Sequence, residues 1–305
     1  MIAVLVTVTA MQIVSPSGVL ANVLSNNNQP AGTIYWSTVS EIFRANTDGS
    51  NATTIVDGLS SVWDITTDID GGKIYWADSG TGKIQRANLD GSEVEDVVVG
   101  LAKPFGLALD VEAGKVYWTN STFLARRTAL NRNEPRKVGK IQRANLDGTE
   151  VEDLVTERGQ PSAIALDTKA GRMYWTEFTA PGSVVSANLD GTERKSVALR
   201  VGWALGVAVD SENGKVYWAS NFTRIERSNL DGTEREFVID KGSGTGLAAL
   251  MDLDVAGNKI YFAHLGPDSN NDLTVWSIQK ANLDGSQSRT IIPNPGPVSG
   301  MALGL

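Results

Sequence analysis

Thirty-five Asp and Glu residues, one His and no Cys set the chemistry open to this chain. Without thiols, disulfides, thiolate metal sites and cysteine nucleophiles are excluded. His264 alone cannot build a multi-histidine metal site and leaves at most one Ser-His-Asp arrangement. Carboxylates remain, and several converging with Asn would make a hard-oxygen site for a divalent cation and its bound water. A second cluster is basic: Arg126, Arg127, Arg132, Arg136, Lys137 and Lys140 fall within residues 124–140 beside one acid, Glu134. Read plainly, this is a solvated loop. In a chain of net charge -8 it could also dock an acidic protein or polysaccharide. That same net charge opposes attraction to nucleic acid and to anionic membranes.

What must position these groups is a repeat. A Tyr-Trp pair after an apolar residue recurs as IYWST from Ile34, IYWAD from Ile74, VYWTN from Val116, MYWTE from Met173, VYWAS from Val216 and, with Phe for Trp, IYFAH from Ile260. Asn-x-Asp-Gly also recurs, ending at Gly49, Gly91, Gly148, Gly191, Gly232 and Gly285. A period of about 40 to 45 residues with short alternating apolar runs is that of one four-stranded blade, and six make a ring. Asp68, Asp110, Asp167, Asp210 and Asp254 each precede the motif Tyr by seven residues, which marks a tight hairpin from first to second strand. Asn258 replaces the hairpin Gly in the sixth copy and tolerates the same conformation. The Asp-Gly pairs mark the hairpin from third to fourth strand.

In the second strand Ile74 and Trp76 point to one face and Tyr75 to the other, so both faces need burial. Blades stacked face to face supply it, where an open antiparallel sheet would leave one face polar. The end of the sequence, Gly300-Met301-Ala302-Leu303, aligns with Gly106-Leu107-Ala108-Leu109 and is expected to complete the first blade as its innermost strand. The fold class expected is all-β: a six-bladed β-propeller of four-stranded antiparallel blades, closed by the C-terminal strand. The periodic Asp residues are thereby assigned to hairpins. The early inner-strand position facing the channel carries Asp64, Gly106, Ala163, Gly206, Leu250 and Gly300, and one carboxylate among small or apolar residues makes no calcium site.

Over residues 31–305 these paired motifs resemble the low-density-lipoprotein-receptor class B repeat, the YWTD propeller. The resemblance implies a ring that binds proteins or peptides on one face and is found in extracellular receptors and in secreted proteins. The chain departs from the motif at its final acid, present as Asp only at Asp78 and replaced by Thr38, Asn120, Glu177, Ser220 and His264. If that Asp ties neighbouring blades together, five junctions need other partners, and His264 is then a structural substitute.

Length varies mainly in connections on one side of the disc: about fifteen extra residues after Thr122, about eight after His264, and three around 241–246. The same side gathers the blade-entry residues Trp63, Lys103, Phe105, Arg158, Gln160, Arg200 and Trp203, aromatics and cations suited to interface anchors. The partner-binding residues expected are therefore Trp63, Lys103, Phe105, Arg158, Arg200 and Trp203, with Arg126, Arg127, Arg132, Arg136 and Lys137 of the insertion. Trp63 and Phe105 could equally plug the mouth of the ring. The function expected is a non-catalytic binding scaffold for a protein or peptide, monomeric, without cofactor or metal. The alternatives are a metal-dependent hydrolase or lyase of the six-bladed type and a carbohydrate-binding or architectural module.

At the start, residues 2–14 form an uncharged apolar run too short to span a bilayer, followed by Val19-Leu20-Ala21. Despite the missing basic residue this reads as a signal peptide over residues 1–21, with a linker at 22–30, and implies a secreted, extracellular or periplasmic protein without a transmembrane anchor. Asn51, Asn120 and Asn221 open glycosylation triplets, which matter only in a eukaryotic secretory pathway.

Overall fold

The computed structural model describes residues 32–120, 139–157, 159–178, 181–221, 223–240, 248–266 and 275–305. Contacts divide the chain into Met1–Pro30 and Ala31–Leu305. The segments read as signal peptide and linker, and the basic residues 126–137, lie outside the described residues.

Among the described residues all regular structure is strand. Blade 1 holds β1 (Thr33–Ser37), β2 (Ile42–Asn46) and β3 (Thr53–Val56), and blade 2 holds β4 (Val62–Asp68), β5 (Lys73–Asp78), β6 (Lys83–Asn88) and β7 (Glu95–Val98). Blade 3 follows with β8 (Pro104–Asp110), β9 (Lys115–Asn120), β10 (Gly139–Asn145) and β11 (Glu152–Glu157), then blade 4 with β12 (Pro161–Asp167), β13 (Arg172–Glu177), β14 (Ser183–Asn188) and β15 (Lys195–Leu199). Blade 5 has β16 (Val207–Asp210), β17 (Lys215–Ser220), β18 (Arg224–Asn229) and β19 (Glu236–Asp240). Blade 6 has β20 (Ala248–Asp254), β21 (Lys259–Gly266), β22 (Val275–Asn282) and β23 (Arg289–Pro293), after which β24 (Gly300–Gly304) joins blade 1 in the order β24-β1-β2-β3. The expected closure is thus observed, with Ile34 opposite Leu303 and Ser37 opposite Gly300.

The core lies between blades. Trp76, Trp118, Trp175 and Trp218 are 0% exposed, and the tyrosines beside them on the opposite face are 1% exposed. Each buried indole removes about 150–250 Å² from water, roughly 4–6 kcal/mol as an upper bound. The same register shift occurs in all six third-to-fourth strand pairs, at Ile42/Phe43, Ile84/Gln85, Ile141/Gln142, Val184/Val185, Ile225/Glu226 and Ile278/Gln279. Such a bulge twists the outer edge strand away from edge-to-edge pairing.

The hairpin motifs are explained by their bonds. Asp68 Oδ1 accepts from Gly71 N at 2.8 Å, and Asp110, Asp167, Asp210 and Asp254 repeat the pattern. In the Asp-Gly hairpin, Asp90 Oδ1 accepts from Ser92 N at 2.9 Å and Ser92 Oγ at 2.6 Å, while Asn88 Nδ2 donates to Ser92 Oγ at 2.8 Å. The following Gly has two reasons to be there. Gly91 has φ +88°, and a Cβ on it would overlap the carbonyl of Ile55 in β3. Gly148 meets Val97 of β7 in the same way, as the other four meet the fourth strand of the preceding blade.

Candidate functional site

Strands of a blade alternate in direction, so the ring has two faces. The first-to-second and third-to-fourth hairpins form one face; the second-to-third connections and blade entries form the other, the loop face. Of the residues expected to bind a partner, the described ones, Trp63, Lys103, Phe105, Arg200 and Trp203, lie in blade-to-blade connections or entries on this loop face, and the structure separates Trp63 and Phe105 from Trp203.

Trp63 and Phe105, at matching entries of β4 and β8, stack with ring centroids 4.7 Å apart and planes 24° apart. With Asp64, Gly106, Leu205 and Leu250 they line a cavity of about 30 Å³ at the mouth of the ring. Gly106 permits the close approach of blades 3 and 4 here, since a Cβ would overlap the Ser162 carbonyl. Trp63 and Phe105 are half-buried, so this pair plugs the mouth whatever else it touches.

Trp203 stands apart, 50% exposed, with its ring 5.6 Å from Phe178. Beside it are Leu199, 62% exposed, and the exposed Arg200. Arg200 has φ +56°, the left-handed conformation that Gly58 and Gly100 occupy at the matching exits of blades 1 and 2. That conformation costs a side-chain-bearing residue about 1–2 kcal/mol relative to Gly. Lys103 is half-buried: its N–H donates to Asn120 Oδ1 at 2.8 Å and its Nζ reaches the Ser79 carbonyl at 3.5 Å. Arg158 lies outside the described residues, as do Arg126, Arg127, Arg132, Arg136 and Lys137. Lys140, read with that insertion, belongs to β10 and pairs with Asp153 at 2.6 Å.

The final acid of the motif ties a connection rather than two sheets. Asp78 accepts from Ser61 N at 3.1 Å and Ser60 N at 3.4 Å, in the link from β3 to β4, and from Gly80 and Thr81 N in its own loop. Asn120 does the same work for Lys103 N. Elsewhere Glu177 accepts from Ser183 Oγ at 2.6 Å and Ser220 Oγ donates to Glu226 at 2.6 Å, while Thr38 donates its N–H to the Glu41 carbonyl at 2.9 Å. His264 is 8% exposed within β21, opposite Ser277. Blade-to-blade ties come from arginines instead. Arg86, Arg143 and Arg227 reach the carbonyls of Leu146, Leu189 and Leu283 in the next blade at 3.0, 3.1 and 3.1 Å.

Below the mouth, the channel opens into a cavity of about 240 Å³ that holds Asp64 and a second carboxylate, Asp252. Sequence comparison at one inner-strand level missed Asp252, which sits on the next channel-facing level, where the other strands carry Thr66, Ala108, Ala165, Ala208 and Ala302. Reading the strand's period of two one step further would have found it. Asp64 accepts from Ile65 N and Leu107 N, both at 2.9 Å, and Asp252 from Leu253 N at 2.7 Å and Leu303 N at 2.8 Å. Burial deep in the ring raises the pKa of Asp64 to about 7 and that of Asp252 to about 6, against the lowering effect of these amides. Among the described residues no group of three or more His, Cys, Asp or Glu side chains is placed to hold a metal ion, and no helix is long and apolar enough to cross a membrane.

Residues 72–111 match the family model of the low-density lipoprotein receptor repeat class B. No curated protein matches the chain. Among solved structures, the nidogen/laminin complex contains a chain similar to this one at 21% identity and TM-score 0.73, over 90% of this chain and 98% of that one. TolB from Acinetobacter baumannii is similar at 13% identity and TM-score 0.69, over 90% and 67%. A gluconolactonase from Xanthomonas campestris is similar at 16% identity and TM-score 0.58, over 80% and 86%. At such identities the likeness is one of fold. The matched repeat is one of six units that share its motifs, its hairpin bonds and its place in the ring: residues 72–111 carry a low-density lipoprotein receptor class B, or YWTD, repeat, and the whole is a six-bladed propeller similar to those built of such repeats.

Proposed function

We propose that this propeller acts by binding a protein or peptide partner on its loop face, outside the cytoplasm and without catalysis. The observation that carries the reading is Arg200: an exposed guanidinium held at φ +56° between exposed Leu199 and Trp203. No fold requirement calls for an arginine there, since Gly serves the matching exits of blades 1 and 2 and Asn294 that of blade 6, both residue types that take positive φ more readily. An aromatic, an aliphatic and a cation grouped at the surface form the composition of an interface anchor. Family habit points the same way, nidogen being seen in complex with laminin. An acidic partner fits Arg200, Lys103 and the cations of residues 126–137, and salt would weaken it. Catalysis at the channel carboxylates is disfavoured because each already accepts two backbone amides.

The test is comparative capture from the cell-surface and secreted proteins of the source cells. Immobilised wild-type protein should retain a partner that Arg200→Gly and Trp203→Ala both lose, with folding intact. A partner held equally by wild type and both variants would remove this surface from the proposal.

A further inference from the structure

The strand that closes the ring, β24, is joined to its blade by hydrogen bonds rather than by a hairpin. Its Leu303 sits opposite Ile34 in the ladder, and its backbone groups are taken up by both flanking blades. The N–H donates to Asp252 Oδ2 of blade 6 at 2.8 Å, and the carbonyl accepts from Thr67 Oγ1 of blade 2 at 2.8 Å. Asp64 makes the matching bridge one junction on, from blade 2 to Leu107 N of blade 3. Asp252 thus clasps β24 to blade 6, and Asp64 clasps blade 2 to blade 3.

Among the described residues no Lys, Arg or His lines the channel cavity. The other charged groups of the inner strands are also acids: Asp68 on β4, Asp110 on β8, Asp167 on β12, Asp210 on β16 and Asp254 on β20, with none on β24. Those five accept backbone amides in their own hairpins, and the charges of Asp254 and Asp252 add repulsion to Asp252 and Asp64 respectively. Both carboxyls are only part-exposed, so an ionised one exchanges much of its water for backbone dipoles, and it gains by opening to solvent.

From this geometry we infer that Asp252 is a pH-sensitive clasp on the closure of the ring, holding β24 more tightly in acidic than in neutral or alkaline medium, and that Asp64 acts in the same way on the junction of blades 2 and 3. The direction follows from linkage. Both carboxyls bind their proton more tightly in the closed ring than in the unfolded chain, whose Asp value is 3.8. The stability they contribute is therefore fully present below pH 4. It is lost as pH rises through about 6 for Asp252 and about 7 for Asp64. If local opening returns Asp252 to its ordinary value, protection of the Leu303 amide falls roughly tenfold between pH 5 and pH 8.

Amide hydrogen exchange on the whole protein, corrected for the intrinsic pH dependence of exchange, measures this at Leu303 and Leu107. In the wild type both amides should lose protection from pH 5 to 8. In Asp252→Asn the loss should vanish at Leu303 and persist at Leu107, and Asp64→Asn should show the reverse. Protection independent of pH in the wild type, or an unchanged slope in the variants, would overturn the inference. Should a variant not fold, carbon-13 titration of the two carboxyls in the wild type decides: midpoints near 6 and 7 support the clasp, and midpoints near 4 refute it.

Discussion

The two faces of the ring are built from the same chain by opposite rules. On the hairpin face every copy repeats one set of bonds: Asn to Ser or Thr, Asp to the same residue, and a Gly pressed against the blade before it. The Asp side chains of its Asp-Gly pairs are exposed, with pKa values lowered by the hydroxyl and amide of the Ser or Thr two residues on. On the loop face no two entries are alike. Trp63 and Phe105 stack, Lys103 is drawn toward Asn120 and Ser79, and Trp203 leans on Phe178 beside a strained, exposed Arg200. The difference teaches which residues serve the ring and which are free of it. A position filled alike in six blades answers to packing, whereas the blade exit that holds Gly58, Gly100, Arg200 and Asn294 keeps its positive φ and varies its side chain.

The comparison can be broken by substitution. Trp118→Ala empties a fully buried site between blades and should cost about 3–5 kcal/mol in denaturant-induced unfolding; a loss under about 1 kcal/mol would mean that the inter-blade core is not the main support. Gly148→Ala on the hairpin face adds a Cβ against the Val97 carbonyl at φ +84° and should cost roughly 2–3 kcal/mol. At the other extreme, Trp203→Ala should change stability by less than about 1 kcal/mol, and Arg200→Gly should leave it unchanged or raise it slightly. A large loss at Trp203 in the same assay would move that residue from the binding face into the fold.

Much of this was legible in the sequence because the ring is a repeat. The six Tyr-Trp motifs mark six buried second strands, and the spacing from Asp68 to Tyr75 and from Asp90 to Gly300's counterpart Gly106 fixes where strands turn and where the last one closes. The residues of the candidate site were legible as a set but not as an arrangement. That Trp63 meets Phe105 while Trp203 meets Phe178 depends on which blade entries lean together across the mouth. Whether the motif's final acid ties neighbouring blades could not be read from one strand: the Asp78 bonds go to Ser60 and Ser61 in the link between blades 1 and 2, while Arg86, Arg143 and Arg227 reach carbonyls of the next blade.

The sequence by itself determined the number of blades, the hairpins and the closing strand, because each is a matter of local turn chemistry and hydrophobic period repeated along the chain. Only the tertiary structure decided what Asp64 and Asp252 are. They lie 188 positions apart in the chain and at different levels of their strands, and the strand's period of two says only that each faces the channel. Closing the ring brings both to one channel with no counter-cation among its described residues, and there burial, a property of the whole ring, sets their charge.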